Sequence, residues 1–424
     1  MTSNGRCPTI CFVAADVSGD QNAARLAAAI RERAPEVRLL GAGGAAMRAA
    51  GVEVVVETTD LSFIGVLGSL RLLRQLIGRF RRAQRSIAAA RPDLVVLVDA
   101  ETVNLPAAMW FRRKRVPVVF FFPPQVWFWG RWRLPAIVPL ARRVLSAFRD
   151  EAKLFAAAGA DTVWVGHPLR DLMHVAESPK AALQSIGLDP SRPLIALMPG
   201  SRRNEIRALV APMLGAARLL QQRDPTLQFA LPLASEALRD EVEHRVRESG
   251  VQNVAIYHHP KSYAVLSQAR LVLQCSGTAT LEAALLGLPA VIVYRCHPVE
   301  YVVARHLLLA VPFIGMPNIL LGEMVQPEFF HKNVDAEHLA KEAWSLLTDP
   351  RRRSGIQSRL ATLRELLGPA GVVPRAAEAV LDLLPQAALA SSRAAVASSG
   401  LAANLPHGPS VPLPGAPARA LPGQ

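Results

Sequence analysis

Short, almost wholly apolar runs alternate with amphipathic stretches along the first half of the chain. Residues 10–14 are uninterruptedly apolar and predict a buried strand. Residues 20–33 follow, with Ala24, Leu26, Ala27 and Ile30 recurring at helical spacing, and predict a helix packed on that strand. The strand-like pattern returns at residues 37–40, 52–56, 94–98, 116–121, 144–147 and 162–165, with helical patterns between several of them. It restarts at 194–198 and continues at 227–231, 254–257, 271–274 and 290–293. Strands apolar on both faces and separated by helices belong to parallel sheets covered on both sides. The expected fold is therefore α/β, with two Rossmann-like, doubly wound domains. Gly166, Pro168, Ser178, Pro179, Pro190 and Pro193 cluster where one pattern ends and the next begins, which sets the expected domains at 1–170 and 171–384. Helical patterns over 335–384 close the second domain. Residues 385–424, rich in Ala, Ser, Pro and Gly and without an aromatic side chain, are expected to form a disordered tail, because they cannot bury enough apolar surface to fold.

Composition narrows the class. With 51% apolar and 19% charged residues, the chain is not disordered as a whole. No apolar run approaches the ~18 residues of a spanning helix, and the most apolar stretch is broken by Pro117, Pro123 and Pro124. Acidic Asp16 and Asp20 follow the first apolar run at once, which is unlike a signal peptide. Cys7, Cys11, Cys275 and Cys296 are too few and too scattered for a disulfide framework, and Cys7 and Cys11 lack the second ligand cluster that a metal needs. They read as reduced thiols of a cytoplasmic protein, with no metal expected. The net charge of +14 is concentrated early, residues 1–170 holding 24 Lys/Arg against 13 Asp/Glu. A basic half implies an anionic partner: nucleic acid, a membrane surface or a phosphorylated substrate.

Open α/β sheets bind ligands just past the carboxyl ends of their strands, so those positions carry the candidate chemistry. After the first strand come Asp16, Val17, Ser18, Gly19 and Asp20, a turn into a helix whose amides favour an anion; ordinary N-capping by Ser18 or Asp20 explains it equally well. Asp99 ends the fourth strand and is placed to take a proton from a substrate hydroxyl, or else to cap a helix beginning near Asn104. Pro199, Gly200, Ser201 and Arg202 leave the first strand of the second domain and lead through Glu205 into a helix. Such a turn offers free amides, and the arginine fork suits phosphate better than a surface role. Ser276, Gly277, Thr278, Thr280 and Glu282 form a second turn of this type, in which hydroxyls and amides suit a diphosphate and Glu282 suits ribose hydroxyls; a plain Ser/Thr cap is the alternative. Neither G-x-G-x-x-G nor a P-loop motif is present. A basic amphipathic stretch over 70–85 and the run Arg112–Arg115 suit an anionic membrane or a solvated face. No nucleic-acid signature accompanies them, so nucleic acid is not the expected partner. His167 reads as a ligand, an acid–base group or a buried neutral imidazole.

Taken together, these motifs resemble the lipid-A-disaccharide synthases, inverting glycosyltransferases of family 19 with the two-Rossmann GT-B architecture. The resemblance spans residues 8–384 and rests on Ser18–Asp20, Gly41–Gly44 with Met47, Arg48 and Gly51, Val126, Trp127 and Trp129, Gly166 and His167, Pro199–Arg202 with Glu205, Ser276–Glu282, Pro317 and Asn318, and Pro327 and Glu328. It implies transfer of 2,3-diacylglucosamine from its UDP-linked form to the 6-hydroxyl of 2,3-diacylglucosamine 1-phosphate, giving a β-1,6 disaccharide and UDP, without a cofactor. It implies that Asp99 is the catalytic base and that Gly200, Ser201, Arg202, Glu205, Ser276, Gly277, Thr278, Thr280, Glu282 and Asn318 bind the UDP-sugar. Asp16, Ser18, Gly19, Asp20 and Trp127 fall on the acceptor side. Acyl chains would account for the aromatic segment from Phe120 to Trp129. The implied partners are the acylated sugar donor, the acylated glucosamine 1-phosphate acceptor and an anionic membrane surface, with a homodimer as a candidate assembly. The implied location is the cytoplasmic face of the inner membrane, peripherally held.

The chain departs from the family pattern on the acceptor side. G-E-x-S-G-D has Asp16 for its Glu, D-A-P-D-F-N has become Asp99-Ala-Glu-Thr-Val-Asn104, S-P-S-V-W has become Pro123-Pro-Gln-Val-Trp127, and L-P-F-E has become Ala147-Phe-Arg-Asp-Glu151. A related UDP-sugar transferase with another lipid or sugar acceptor is thus the first alternative. A UDP-sugar 2-epimerase and a non-catalytic UDP-sugar-binding paralogue follow.

Overall fold

The computed structural model describes residues 7–58, 82–127, 130–173, 178–233, 235–258, 262–295 and 312–385. The expected tail beyond Pro385, most of the basic stretch over 70–85, Phe128, Trp129 and Cys296 lie outside these residues.

Two parallel sheets organise the chain. The first runs β3-β2-β1-β4-β5-β6-β7, with β1 (Thr9–Ala14), β2 (Arg38–Gly43), β3 (Glu53–Glu57), β4 (Leu94–Val98), β5 (Val118–Phe121), β6 (Arg143–Ser146) and β7 (Thr162–Trp164). The second runs β10-β9-β8-β11-β12-β13, with β8 (Leu194–Met198), β9 (Gln228–Leu233), β10 (Val254–His258), β11 (Ala269–Cys275), β12 (Ala290–Tyr294) and β13 (Glu328–Phe330). Both orders reverse direction once, at β1/β4 and at β8/β11, as in doubly wound folds. The strands are apolar because both faces are covered: every residue of β1 and β4 is buried. Packing divides the chain into two compact units, Met1–Val96 with Lys114–Pro117 and Ala377–Gln424, and Leu97–Arg113 with Val118–Ala376.

The helices that position candidate residues are α1 (Val17–Arg33), α2 (Ala45–Ala49), α3 (Glu101–Arg113), α4 (Arg149–Ala157), α5 (Arg203–Arg223), α6 (Thr278–Leu285) and α7 (Met316–Leu321). Three longer helices follow, α8 (Ala336–Thr348), α9 (Pro350–Ala361) and α10 (Val372–Leu381). Two boundaries differ from the sequence expectation. Helix α1 begins three residues before Asp20, because Asp16 is its N-cap and accepts from the Gly19 amide at 2.6 Å. Helix α3 begins before Asn104, which lies within it. Strand β13 was not legible at all: it has three residues and follows Pro327.

Among the described residues, no helix is long and apolar enough to cross a membrane. Phe120, Phe121 and Phe122 are buried in and beside β5, so the sheet core alone accounts for that part of the aromatic segment.

Candidate active site

In the second sheet, the two turns singled out from sequence leave β8 and β11, the adjacent strands at which the order reverses. Met198 is in register with Gln274, so both turns start at the same level of the carboxyl edge. They are close enough that the charges of Glu205 and Arg202 act on the Cys275 thiol, which burial pushes up to about 12.

The first turn is built around Glu205. Gly200 takes φ +112°, and a Cβ there would lie 2.5 Å from Glu205 Oε2. The Glu205 carboxylate accepts from the amides of Ser201 (3.0 Å) and Arg202 (3.1 Å) and pairs with the Arg202 guanidinium at 3.1 Å. These amides are therefore not free, contrary to expectation: the Glu205 carboxylate uses them. What the turn presents is the side chain of Arg202, 79% exposed, at the N-terminus of α5.

The second turn divides its groups. The Ser276 hydroxyl donates to the Ile314 carbonyl at 2.6 Å, and the Thr280 hydroxyl donates to the Gly277 carbonyl at 2.7 Å and accepts from the Met316 amide at 3.2 Å. Two of the three hydroxyls expected to hold diphosphate, those of Ser276 and Thr280, are thus bonded to the backbone. Thr278 is exposed and no side chain caps α6 at Gly277, while the Thr280 amide donates to the Gly277 carbonyl at 3.1 Å. Burial raises the proton affinity of Glu282, and a hydrogen bond with Tyr263 opposes that effect.

Asn318, expected beside the donor, is fully buried and uses all its bonding capacity locally. Its amide donates to the Gln326 carbonyl (2.7 Å) and to Glu328 (2.8 Å), and its oxygen accepts from the amides of Val325 and Gln326, both at 2.9 Å. Glu328 also accepts from Ile314 and Gly315 at 2.9 and 2.8 Å. Burial raises its proton affinity against the pull of these donors. Asn318 and Glu328 therefore brace the 314–318 segment, to which Ser276 and Thr280 are tied.

In the first sheet, Asp99 lies at the end of β4. It and Ala100 adopt φ +50° and +41°, a left-handed pair of residues that are not glycine. Such backbone persists only when its surroundings over-determine it, and it gathers at functional sites. Asn104 supplies the restraint, its side-chain amide donating to the carbonyls of Val98 (2.9 Å) and Asp99 (2.6 Å). The Asp99 amide donates to Phe121 at 3.1 Å. Glu101 pairs with Arg133.

Beside Asp99 is a carboxyl not singled out from sequence. Glu151 is wholly buried on α4, contacts the Ser146 hydroxyl, and lies within the field of Asp99. Trp127 packs against Phe148 with ring centres 5.3 Å apart and planes tilted by 46°, and Phe148 against His167 at 5.2 Å and 36°, so Trp127 and His167 are parts of one aromatic packing unit. Burial lowers the His167 pKa to about 4, which leaves the imidazole neutral at neutral pH.

Asp20 is buried, and its carboxylate accepts from the amides of Gly44 (2.6 Å), Ala46 (2.9 Å) and Met47 (3.3 Å). It braces the glycine turn before α2, whereas Ser18 stays exposed on the first turn of α1. Among the described residues, no three His, Cys, Asp or Glu are grouped to hold a metal.

A family model for lipid-A-disaccharide synthetase matches residues 10–374. The lipid-A-disaccharide synthase of Geobacter metallireducens is 36% identical, covering 88% of this chain and 97% of the relative. That of Myxococcus xanthus is 35% identical, with 89% and 98% covered. Among solved structures, the UDP-GlcNAc 2-epimerase from Neisseria meningitidis bound to UDP-GlcNAc aligns with TM-score 0.54 at 13% identity, covering 88% of this chain and 98% of that one. The calicheamicin glycosyltransferase CalG4 aligns with TM-score 0.55 at 18% identity, covering 89% and 98%. At these identities the structural likeness is one of fold, the GT-B pairing of two Rossmann-like sheets. The chain belongs to the lipid-A-disaccharide synthase family and is, by that membership, a glycosyltransferase.

Proposed function

We propose that the chain transfers 2,3-diacylglucosamine from UDP-2,3-diacylglucosamine to the 6-hydroxyl of 2,3-diacylglucosamine 1-phosphate. The acceptor oxygen attacks the anomeric carbon, the bond from that carbon to the diphosphate breaks with inversion, and UDP leaves. Asp99 takes the hydroxyl proton. The observation that carries this reading is the strained Asp99–Ala100 backbone at the end of β4, clamped by Asn104.

The donor reading draws on the two turns at the β8/β11 reversal. The leaving diphosphate would be held by the Arg202 guanidinium, the hydroxyl of Thr278 and the N-terminal amides of α6, with Glu282 at the ribose. Gly200, Ser201, Glu205, Ser276, Gly277, Thr280 and Asn318 would shape the turns rather than touch phosphate. On this reading residues 171–384 form the donor side and 1–170 the acceptor side, where Asp16, Ser18, Gly19, Asp20 and Trp127 build the framework. No cofactor enters the step.

The acylated substrates place the reaction at a membrane. Exposed Arg112, Arg113, Lys114 and Arg115, and Trp132 at 76% exposure, suit a peripheral contact with an anionic cytoplasmic leaflet. The test is product identity. Purified protein given both substrates should release UDP and β-1,6 disaccharide in equal amounts, and neither substrate alone should react. Binding of UDP-diacylglucosamine without disaccharide would instead point to another acceptor, the alternative that the changed acceptor-side motifs favour.

A further inference from the structure

The turn that leaves β11 takes its form from a distant part of the chain. The Ser276 hydroxyl donates to the Ile314 carbonyl, 38 residues away, at 2.6 Å. The Thr280 hydroxyl accepts from the Met316 amide, 36 residues away, at 3.2 Å, and donates back to the Gly277 carbonyl of its own turn at 2.7 Å. Exposed Thr278 lies between these two tied residues. Gly315 lies between their two anchors. Its amide and that of Ile314 donate to a single carboxyl group, that of Glu328, at 2.8 and 2.9 Å. The Asn318 carboxamide brings a third donor to Glu328 at 2.8 Å. Glu328 is placed by β13, where it is in register with Ile292 of β12. A Cβ at Gly315 would lie 2.3 Å from Ile292 Cδ1 and 3.0 Å from Glu328 Oε1, so the segment runs flush against both. Hydrogen bonds and three residues of backbone thus lead without a gap from Glu328 to the turn.

We propose that Glu328 is a positioning residue for the donor: it holds the 314–316 segment against the β11 turn, and so sets the place of Thr278 and the first turn of α6 without touching the nucleotide. This rests on the reading of that turn as the UDP site. The chemistry calls for a carboxylate. It accepts all three bonds and donates none, and its charge strengthens each of them. A carboxamide at 328 would set an N–H against one of the three donors. The 314–316 segment would then shift, and Ser276 and Thr280 with it. The loss falls on donor binding, since the proton transfer belongs to Asp99.

Hydrogen–deuterium exchange on the full chain reads this path without any ligand. In Glu328→Gln, exchange should quicken in 312–321 and in 276–285, while α5 exchanges as in the native chain. Quickening confined to 312–321, or spread equally over α5, overturns the proposal, and does so even if the turn binds something other than UDP. Calorimetry with UDP reads the consequence. Glu328→Gln should bind UDP about tenfold more weakly. So should Thr280→Val, which removes the hydroxyl that meets Met316. Because both act through one segment, the double variant should be no more than about threefold weaker than either single one. A loss of about a hundredfold, the product of independent effects, overturns the route. In the transferase assay, Glu328→Gln should raise the donor KM about tenfold and leave kcat at saturating donor unchanged. An unchanged donor KM, or a loss confined to kcat, overturns the positioning role. A native chain that binds no UDP overturns the donor reading, and the positioning role with it. Should Glu328→Gln fail to fold, Glu328→Asp, which keeps the charge and draws it back by one methylene, replaces it in every arm.

Discussion

Asp99 and Ala100 hold a backbone conformation that costs on the order of 1–3 kcal/mol per residue when unsupported. Asn104 is the support, through its two bonds to the carbonyls of Val98 and Asp99. Asn104→Ala leaves both without their side-chain donor. It should lower stability by about 2 kcal/mol and lower kcat at least tenfold, while UDP affinity stays unchanged. Thermal melts and calorimetric titration with UDP check the two parts, and an unchanged kcat would remove Asn104 from the account. The place of Asp99 at the end of β4 was legible in the sequence because the apolar run of the strand stops at Val98. Its strain was not, since φ is set by contacts with β5 and Asn104 rather than by local residues. Asp20 shows the reverse: adjacent to a promising turn in sequence, it is turned instead to the backbone of Gly44, Ala46 and Met47. No local signal announced that 24-residue reach. Glu151 was visible only as a departure from a family motif, because a buried carboxyl and an exposed one look alike in a helical pattern.

At the scale of elements, the β8 and β11 turns do different work despite similar sequences. The first spends its amides on Glu205 and offers a guanidinium; the second ties its Ser276 and Thr280 hydroxyls to the 314–316 segment and leaves Thr278 exposed. Glycine is required at position 200 for conformation and for space. Gly200→Ala would press a methyl group against Glu205 and tilt Arg202. It should weaken UDP binding at least tenfold by calorimetry, with the melting temperature only slightly reduced. Binding equal to that of the native chain would show that this turn does not hold the nucleotide. The strands themselves were legible almost throughout, because continuous apolar runs have no other stable home in a chain of this size. Strand β13 and the bracing by Asn318 and Glu328 were not, since they depend on pairing with β12 and on bonds to backbone seven to fourteen residues away.

For the whole molecule, two buried titrating groups bend stability in opposite directions. Glu151 rises from the ordinary 4.5 to about 8 on folding. Between those values the folded chain binds more protons than the unfolded one. Its contribution is therefore full below about pH 4.5 and is lost as pH climbs to about 8. His167 falls from 6.5 to about 4, so its contribution is full above pH 6.5 and is lost as pH drops toward 4. Melting temperature should accordingly decline between pH 6.5 and 8, and Glu151→Gln should flatten that decline without altering the acid side. A parallel decline in the variant would place the alkaline loss elsewhere. The two doubly wound sheets, being repeats of one hydrophobic pattern, were the most legible feature of the molecule. The assignment of Asp99 as the base of a transferase is the claim on which the rest turns. The direct measurement is the rate of disaccharide formation from UDP-2,3-diacylglucosamine and 2,3-diacylglucosamine 1-phosphate by the native chain and by Asp99→Asn. The account predicts product from the native chain and a fall in kcat of about 10²–10⁴-fold in the variant, with donor affinity retained. An Asp99→Asn enzyme that turns over at close to the native rate would contradict it.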